Sequence, residues 1–136
     1  MVGFVIVTHG KFGDGLLNAA EMIVGDIPHC TVISVDAKRP IEQILKEIEQ
    51  SVKLTDNGDG VLVFTDMFGG TPTTLSLSLL GKKSNLEVIT GVNLPILIKA
   101  ATSRNLSLLE LASELKKAGR QGIKVAGEIL KNPVNS

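Results

Sequence analysis

Residues 1–24 read MVGFVIVTHGKFGDGLLNAAEMIV, and this stretch decides the fold. Val2–Val7 is an apolar run with three valines, a phenylalanine and an isoleucine. Such residues suit a pleated strand, and the missing polar alternation means that both faces are buried. Thr8-His9-Gly10 closes the run. Leu16, Leu17, Ala20, Ile23 and Val24 then recur at helical spacing, with Gly25 as a stop. This predicts an amphipathic helix from about Asp14 to Val24. A doubly buried strand followed at once by a helix is the first half of a βαβ unit.

The rest of the chain repeats that unit. Cys30–Val35 reads as a second strand, and Pro40 opens a helix whose apolar face is Ile41, Ile44, Leu45 and Ile48. Gly60–Thr65 (GVLVFT) is a third strand. In Gly69-Gly70-Thr71-Pro72, Thr71 is placed to cap a helix and Pro72 to occupy its first turn, with Gly81 as the stop. Leu86–Thr90 is a fourth strand. Pro95 opens a helix to about Ser103, and Ser107 to Glu110 has the spacing of a capping box for a fifth helix stopping near Gly119. Strand and helix alternate four times, which implies right-handed crossovers and an α/β, doubly wound parallel sheet in the flavodoxin-like order 2-1-3-4. Ile123–Ala126 is a short final strand candidate after two successive helices. It is expected antiparallel at an edge or on a neighbouring subunit. Residues 131–136 read as a loose tail.

Composition narrows the function. The 136 residues amount to one domain. Fourteen basic and fourteen acidic side chains leave no net charge, so there is no surplus to neutralise nucleic-acid phosphates. At 43% hydrophobic the chain is no disordered segment, and at 3% aromatic it has no base-stacking platform. Two histidines and one cysteine are too few for a structural zinc site. Cys30 has no disulfide partner in the chain, which points to a reducing compartment. The first ten residues lack the basic region of a signal peptide, and no apolar run reaches the about 18 residues of a membrane span. The chain reads as cytoplasmic. No cofactor or metal is expected.

In open α/β sheets ligands bind beyond the carboxyl ends of the strands, where the strand order reverses. In the order 2-1-3-4 that places the segment after strand one, beginning at His9, opposite the segment after strand three, beginning at Asp66. A carboxylate on one imidazole nitrogen fixes the tautomer and leaves the other lone pair free to attack. Gly69 and Gly70 let backbone approach a ligand, and the helix N-terminus behind them attracts anions. The Thr71 hydroxyl either caps that helix or donates to a bound phosphoryl oxygen. Gly10, with Gly13 and Gly15, would aim the first helix's N-terminus at the same place. His29, on the turn before strand two, reads as structural. Neither a P-loop, a complete dinucleotide fingerprint nor a G-x-S-x-G elbow occurs.

V-I-V-T-H-G at 5–10, D-M-F-G-G-T-P at 66–72, G-V-N-L-P at 91–95 and R-Q-G-I-K at 120–124 together resemble the mannose/fructose/sorbose family of phosphotransferase-system IIA domains. The likeness covers nearly the whole chain, so residues 1–130 correspond to one such domain. The resemblance implies that His9 is phosphorylated on Nε2 by the phosphocarrier HPr and passes the group to a IIB component. Asp66 would hold Nδ1–H, Thr71 would sit beside the phosphoryl group, and Gly69 and Gly70 would shape its loop. It also implies a homodimer that exchanges the C-terminal strand, Ile123–Ala126 here. Contact with a membrane permease would come only through IIB. Asn93 and Pro95 match a loop whose role the resemblance leaves open. Phe12, Met67 and Phe68 are either docking contacts around His9 or core. Two alternatives stand beside this reading: the phosphotransfer subunit of a dihydroxyacetone kinase, and a regulatory flavodoxin-like binding module.

Overall fold

The computed structural model describes residues 1–82 and 85–131. Four strands, β1 (Gly3–His9), β2 (Cys30–Val35), β3 (Val61–Thr65) and β4 (Leu86–Ile89), form one parallel sheet in the order β2-β1-β3-β4. The helices are α1 (Phe12–Val24), α2 (Ile41–Thr55), α3 (Gly70–Leu80), α4 (Leu94–Thr102), α5 (Leu108–Gln121) and α6 (Ala126–Lys131). The expected α/β class and strand order are both present.

The continuous apolar runs are explained by two cores, one on each face of the sheet. Phe4, Ile6, Leu62 and Phe64 face one side and meet Ala20 of α1, Ile96, Leu97 and Ala100 of α4, and Leu111 and Leu115 of α5. Val5, Val7, Val61 and Val63 face the other and meet Ile44, Ile48 and Val52 of α2, and Leu75 and Leu79 of α3. Alternate residues of each strand thus serve opposite cores, as the pleat requires. Phe4 and Phe64 meet edge to face with ring centroids 5.2 Å apart. Arg104 lies over the Phe4 ring, 3.8 Å from its centroid, and donates to the carbonyls of Pro28 and His29. His29 is exposed at a positive φ of 50°, and its carbonyl also accepts from the Phe4 amide. It sits on the turn before β2.

Some boundaries differ from the sequence expectation. Thr71 does not cap α3: Gly69 does, at φ 96°, and no side chain bonds to that end of the helix. Two successive glycines at positive φ, Gly69 and Gly70, start the helix two residues earlier than the Thr-Pro signal suggests. The fifth helix runs through Gly119 to Gln121, because Gly119 is buried against Ile96 and acts as a packing residue. The short strand expected at Ile123–Ala126 is not formed within the chain. Residues 123–125 pair with none of the four strands, and Ala126 opens α6. A strand without a ladder leaves its backbone groups unpaired, and residues 123–125 accordingly carry no regular structure in the single chain. Of the expected tail, Lys131 ends α6, and residues 132–136 lie outside the described residues.

Candidate functional site

The site is assembled by strand register. Val7 of β1 pairs with Thr65 of β3, so the two chains leave the sheet side by side. His9 ends β1, and Asp66 follows β3. The Asp66 carboxylate reaches across and accepts from the His9 backbone N–H (2.9 Å) and meets His9 Nδ1 (2.8 Å) with the same oxygen, Oδ2. Backbone and ring of His9 are thereby fixed by one group.

The Asp66 side chain is only 14% exposed, against 49% for His9. Burial by itself would raise the Asp66 carboxyl. The backbone and ring hydrogen bonds from His9, with the ring's charge, outweigh that and hold it below its ordinary 3.8. An ionised carboxylate only accepts, so Nδ1 carries a proton, and in the neutral ring the lone pair is then on Nε2. Asp66 Oδ1 is buried and has no hydrogen-bond partner among the described residues.

Nε2 faces the start of α3. A methyl group in place of a Gly70 hydrogen would sit 3.2 Å from Nε2 and 3.1 Å from Cε1 of His9. Only glycine leaves this space, and its φ of 80° also favours glycine. Because no side chain caps α3, its first N–H groups and the positive end of its dipole are available to an anion on Nε2. Thr71 is half-buried in the first turn, and its hydroxyl has no protein partner among the described residues. The structure therefore brings His9, Asp66 and Gly70 to one place, with Gly69 as the turn that allows it and Thr71 next to Gly70 in the first turn of α3.

Gly10 has a backbone role at the end of β1. Its N–H is taken by the Val35 carbonyl, and at φ 52° it turns the chain out of β1. Gly13 is buried. Its amide donates to Thr8 Oγ1 (2.8 Å), and a Cβ there would meet that oxygen at 2.9 Å, so it packs α1 onto the sheet. Phe12, Met67 and Phe68 are 50, 52 and 77% exposed, which removes them from the core. Asn93 caps α4 by accepting from the Ile96 amide (2.9 Å) and donates to the Gly119 carbonyl (3.3 Å), with Pro95 in the first turn. This gives the fourth-strand loop a structural role.

One feature carried no sequence signal. Buried Thr65 and Thr73 join hydroxyls at 2.7 Å, and Thr73 Oγ1 also bonds the Met67 carbonyl. Eight residues separate the pair, and only the fold brings them together. Grooves of about 600 and 580 Å³ elsewhere on the surface include none of the site residues. The first lies at the amino end of the sheet, lined by Met1, Asp59, Asn85 and Arg104 among others. Among the described residues there is no cluster of metal-ligating side chains, and no helix is long and apolar enough to cross a membrane.

Residues 3–118 match the family model described as PTS system fructose IIA component. The chain is 29% identical over 131 residues to the PTS system fructose-specific EIIA component of Bacillus subtilis, covering 96% of this chain and 90% of that protein. It is 30% identical over 125 residues to the PTS system mannose-specific EIIAB component of Escherichia coli, covering 90% of this chain but only 39% of that longer protein. Among solved structures, phosphotransferase system component EIIA from Streptococcus agalactiae superposes with a TM-score of 0.86 at 27% identity, over 94% of this chain and 99% of that one.

Proposed function

The chain belongs to the family of phosphotransferase-system fructose/mannose IIA components, and we propose that it carries a phosphoryl group on Nε2 of His9 between two protein partners. The donor would be phospho-HPr and the acceptor a IIB component. One observation carries the reading: Asp66 holds Nδ1–H while Nε2 stands accessible beside an uncapped helix N-terminus.

Each part of that geometry has a task. The Nε2 lone pair attacks phosphorus in line with the leaving nitrogen of the donor histidine. The new N–P bond forms as the old one breaks, and the donor ring leaves neutral. Such a transition state needs positioning and charge stabilisation more than covalent help. As Nε2 gives up its lone pair, the His9 ring becomes positive, and the Asp66 carboxylate on Nδ1–H stabilises that charge. The N–H groups at the start of α3 and the Thr71 hydroxyl receive the phosphoryl oxygens. Gly69 and Gly70 permit their approach. The group returns to the next carrier by the reverse path.

Phe12, Met67 and Phe68, all exposed, follow the two strands that carry His9 and Asp66, and supply apolar contact for a docked protein. A small transient interface suits a carrier that must release both partners. The homodimer implied by the resemblance would bury Ile123, Val125 and Leu130, which stand 74, 60 and 82% exposed in the single chain. The family matches favour neither the dihydroxyacetone kinase subunit nor a cofactor-binding module. The test is incubation with phosphoenolpyruvate, enzyme I and HPr, followed by mapping of acid-labile phosphate. Label is expected on His9 and absent from His9→Ala. Label on His29, or on neither histidine, overturns the proposal.

A further inference from the structure

We infer that Thr73, anchored by Thr65, is a positioning residue for phosphoryl transfer; the inference rests on the reading of His9 above. The direction of the hydrogen bonds can be deduced. The Met67 carbonyl can only accept, so the Thr73 hydroxyl spends its proton there. The 2.7 Å contact between the two hydroxyls then requires Thr65 to donate and Thr73 to accept. A one-way chain results: Thr65 O–H to Thr73 Oγ1, and Thr73 O–H to the Met67 carbonyl. Both threonines are sealed from solvent, at 0 and 1% exposure, so water does not compete for these bonds.

The placement gives the chain its function. Thr65 and Met67 flank Asp66, whose carboxylate grips the Nδ1 side of His9. Thr73 lies in the first turn of α3, whose start faces Nε2. The two hydroxyls therefore tie the group that orients one imidazole nitrogen to the element that receives a phosphoryl group on the other. Between them the main chain passes Gly69 and Gly70, both at positive φ and poorly suited to hold a distance by themselves. Without the hydroxyl pair, the start of α3 would be held to the segment of Asp66 by that glycine turn alone, the apolar packing of Leu75 and Leu79 lying further along the helix. A displacement of about 1 Å between reacting groups is enough to slow a transfer severely.

The test compares Thr73→Val, which keeps shape and removes the hydroxyl, with Thr73→Ser, which keeps the hydroxyl. For uptake from phospho-HPr, Thr73→Val should lower kcat about tenfold with KM within about twofold, since every docking side chain is retained and Thr73 holds only the backbone carbonyl of Met67. Thr73→Ser should recover kcat to within about twofold of the parent. Should Thr73→Val fail to fold, Thr65→Val removes only the anchor and should lower kcat about threefold. A folded Thr73→Val with unchanged kcat, a loss confined to KM, or a loss that serine does not restore each overturns the inference. A second readout needs no phosphoryl donor: the ¹⁵N resonances of the His9 ring in the unmodified chain should shift in Thr73→Val and return in Thr73→Ser. Unchanged ring resonances in Thr73→Val overturn the positioning role. Failure of the parent chain itself to take label would instead refute the relay at His9.

Discussion

Replacing Asp66 by Asn keeps the shape of the site and removes its charge, and the structure fixes what that does. Oδ2 accepts two hydrogen bonds, from the His9 amide at 2.9 Å and from Nδ1 at 2.8 Å. An asparagine oxygen can occupy the same place and accept both. The lost quantity is then the attraction between the carboxylate and the ring that becomes positive during transfer. For unit charges 2.8 Å apart this is about 6 kcal/mol at an effective dielectric of 20 and about 1.5 in bulk water. The ring is half exposed, and measured charge-assisted hydrogen bonds fall between those limits, so about 2–3 kcal/mol is reasonable. That corresponds to a transfer rate lower by roughly 30- to 150-fold. Stability falls as well. With the oxygen facing His9, the amide nitrogen lands where Oδ1 now sits, buried and without a partner among the described residues. Turning the amide round would instead set a donor against the His9 N–H. Since Oδ1 is already unsatisfied in the parent, the stability lost is the charge assistance of the bonds to His9, about 1 kcal/mol, and the melting temperature should drop by roughly 3–5 °C. The assay is rapid-quench transfer from phospho-HPr, scaled to the folded fraction by circular dichroism. A folded Asp66→Asn with the parent rate would refute the orienting role of Asp66.

Gly69→Ala and Gly70→Ala form a matched pair, since both residues have positive φ but only Gly70 has the His9 ring within contact. Each should cost about 1–2 kcal/mol in denaturant unfolding, while Gly70→Ala should slow transfer at least tenfold more than Gly69→Ala; equal rates would disprove the close approach. Asn93→Ala should lose about 1–2 kcal/mol, through the α4 cap and the bond to the Gly119 carbonyl, and leave the transfer rate of the folded protein intact. A specific rate loss in that variant would assign Asn93 to the site. The Asp66 carboxyl, held below 3.8 in the fold, contributes stability that is present above its unfolded value and is lost as pH falls through its folded value. The stability difference between the parent and Asp66→Asn should therefore narrow below about pH 4, and a difference that widens there would contradict the sign.

The parts of this fold that are plain in the sequence are those governed by local pattern. Val2–Val7 and Gly60–Thr65 are apolar without alternation because each strand has a core on either side. The cap at Ser107 is self-contained: its hydroxyl oxygen accepts from the Glu110 amide, and its hydroxyl donates to the Glu110 carboxylate. The pairing of His9 with Asp66 also followed from pattern, because strand order alone puts the ends of β1 and β3 together. What the sequence concealed depends on distant or competing contacts. Thr71-Pro72 imitates a cap, but two glycines with left-handed backbone take over the turn. The role of Asn93 is open in the sequence, because its bond to the Gly119 carbonyl exists only once α5 packs beside α4. Ile123–Ala126 has the composition of a strand, but composition cannot supply a ladder partner.

The core and the site are less separable than their chemistry suggests. Phe4 pairs with Leu62 and Ile6 with Phe64 on one face, while Val5 pairs with Val63 on the other. This register matches large apolar residues across both cores at once. A slip of one residue would turn every side chain of β3 to the wrong face, and a slip of two would move Asp66 by about 7 Å along β1. The 2.8 Å contact between Asp66 and Nδ1 permits neither. The apolar residues of β1 and β3 therefore set the distance between Asp66 and His9 as well as the stability. A volume-conserving exchange such as Ile6→Leu should leave register and transfer rate nearly unchanged. An enlarging change such as Val63→Phe should slow transfer through displacement of Asp66, although residue 63 touches neither His9 nor a partner. Its signature would be the same shift of the His9 ring resonances that Thr73→Val produces. A slowed Val63→Phe with the parent's ring resonances would separate packing from positioning and refute the link.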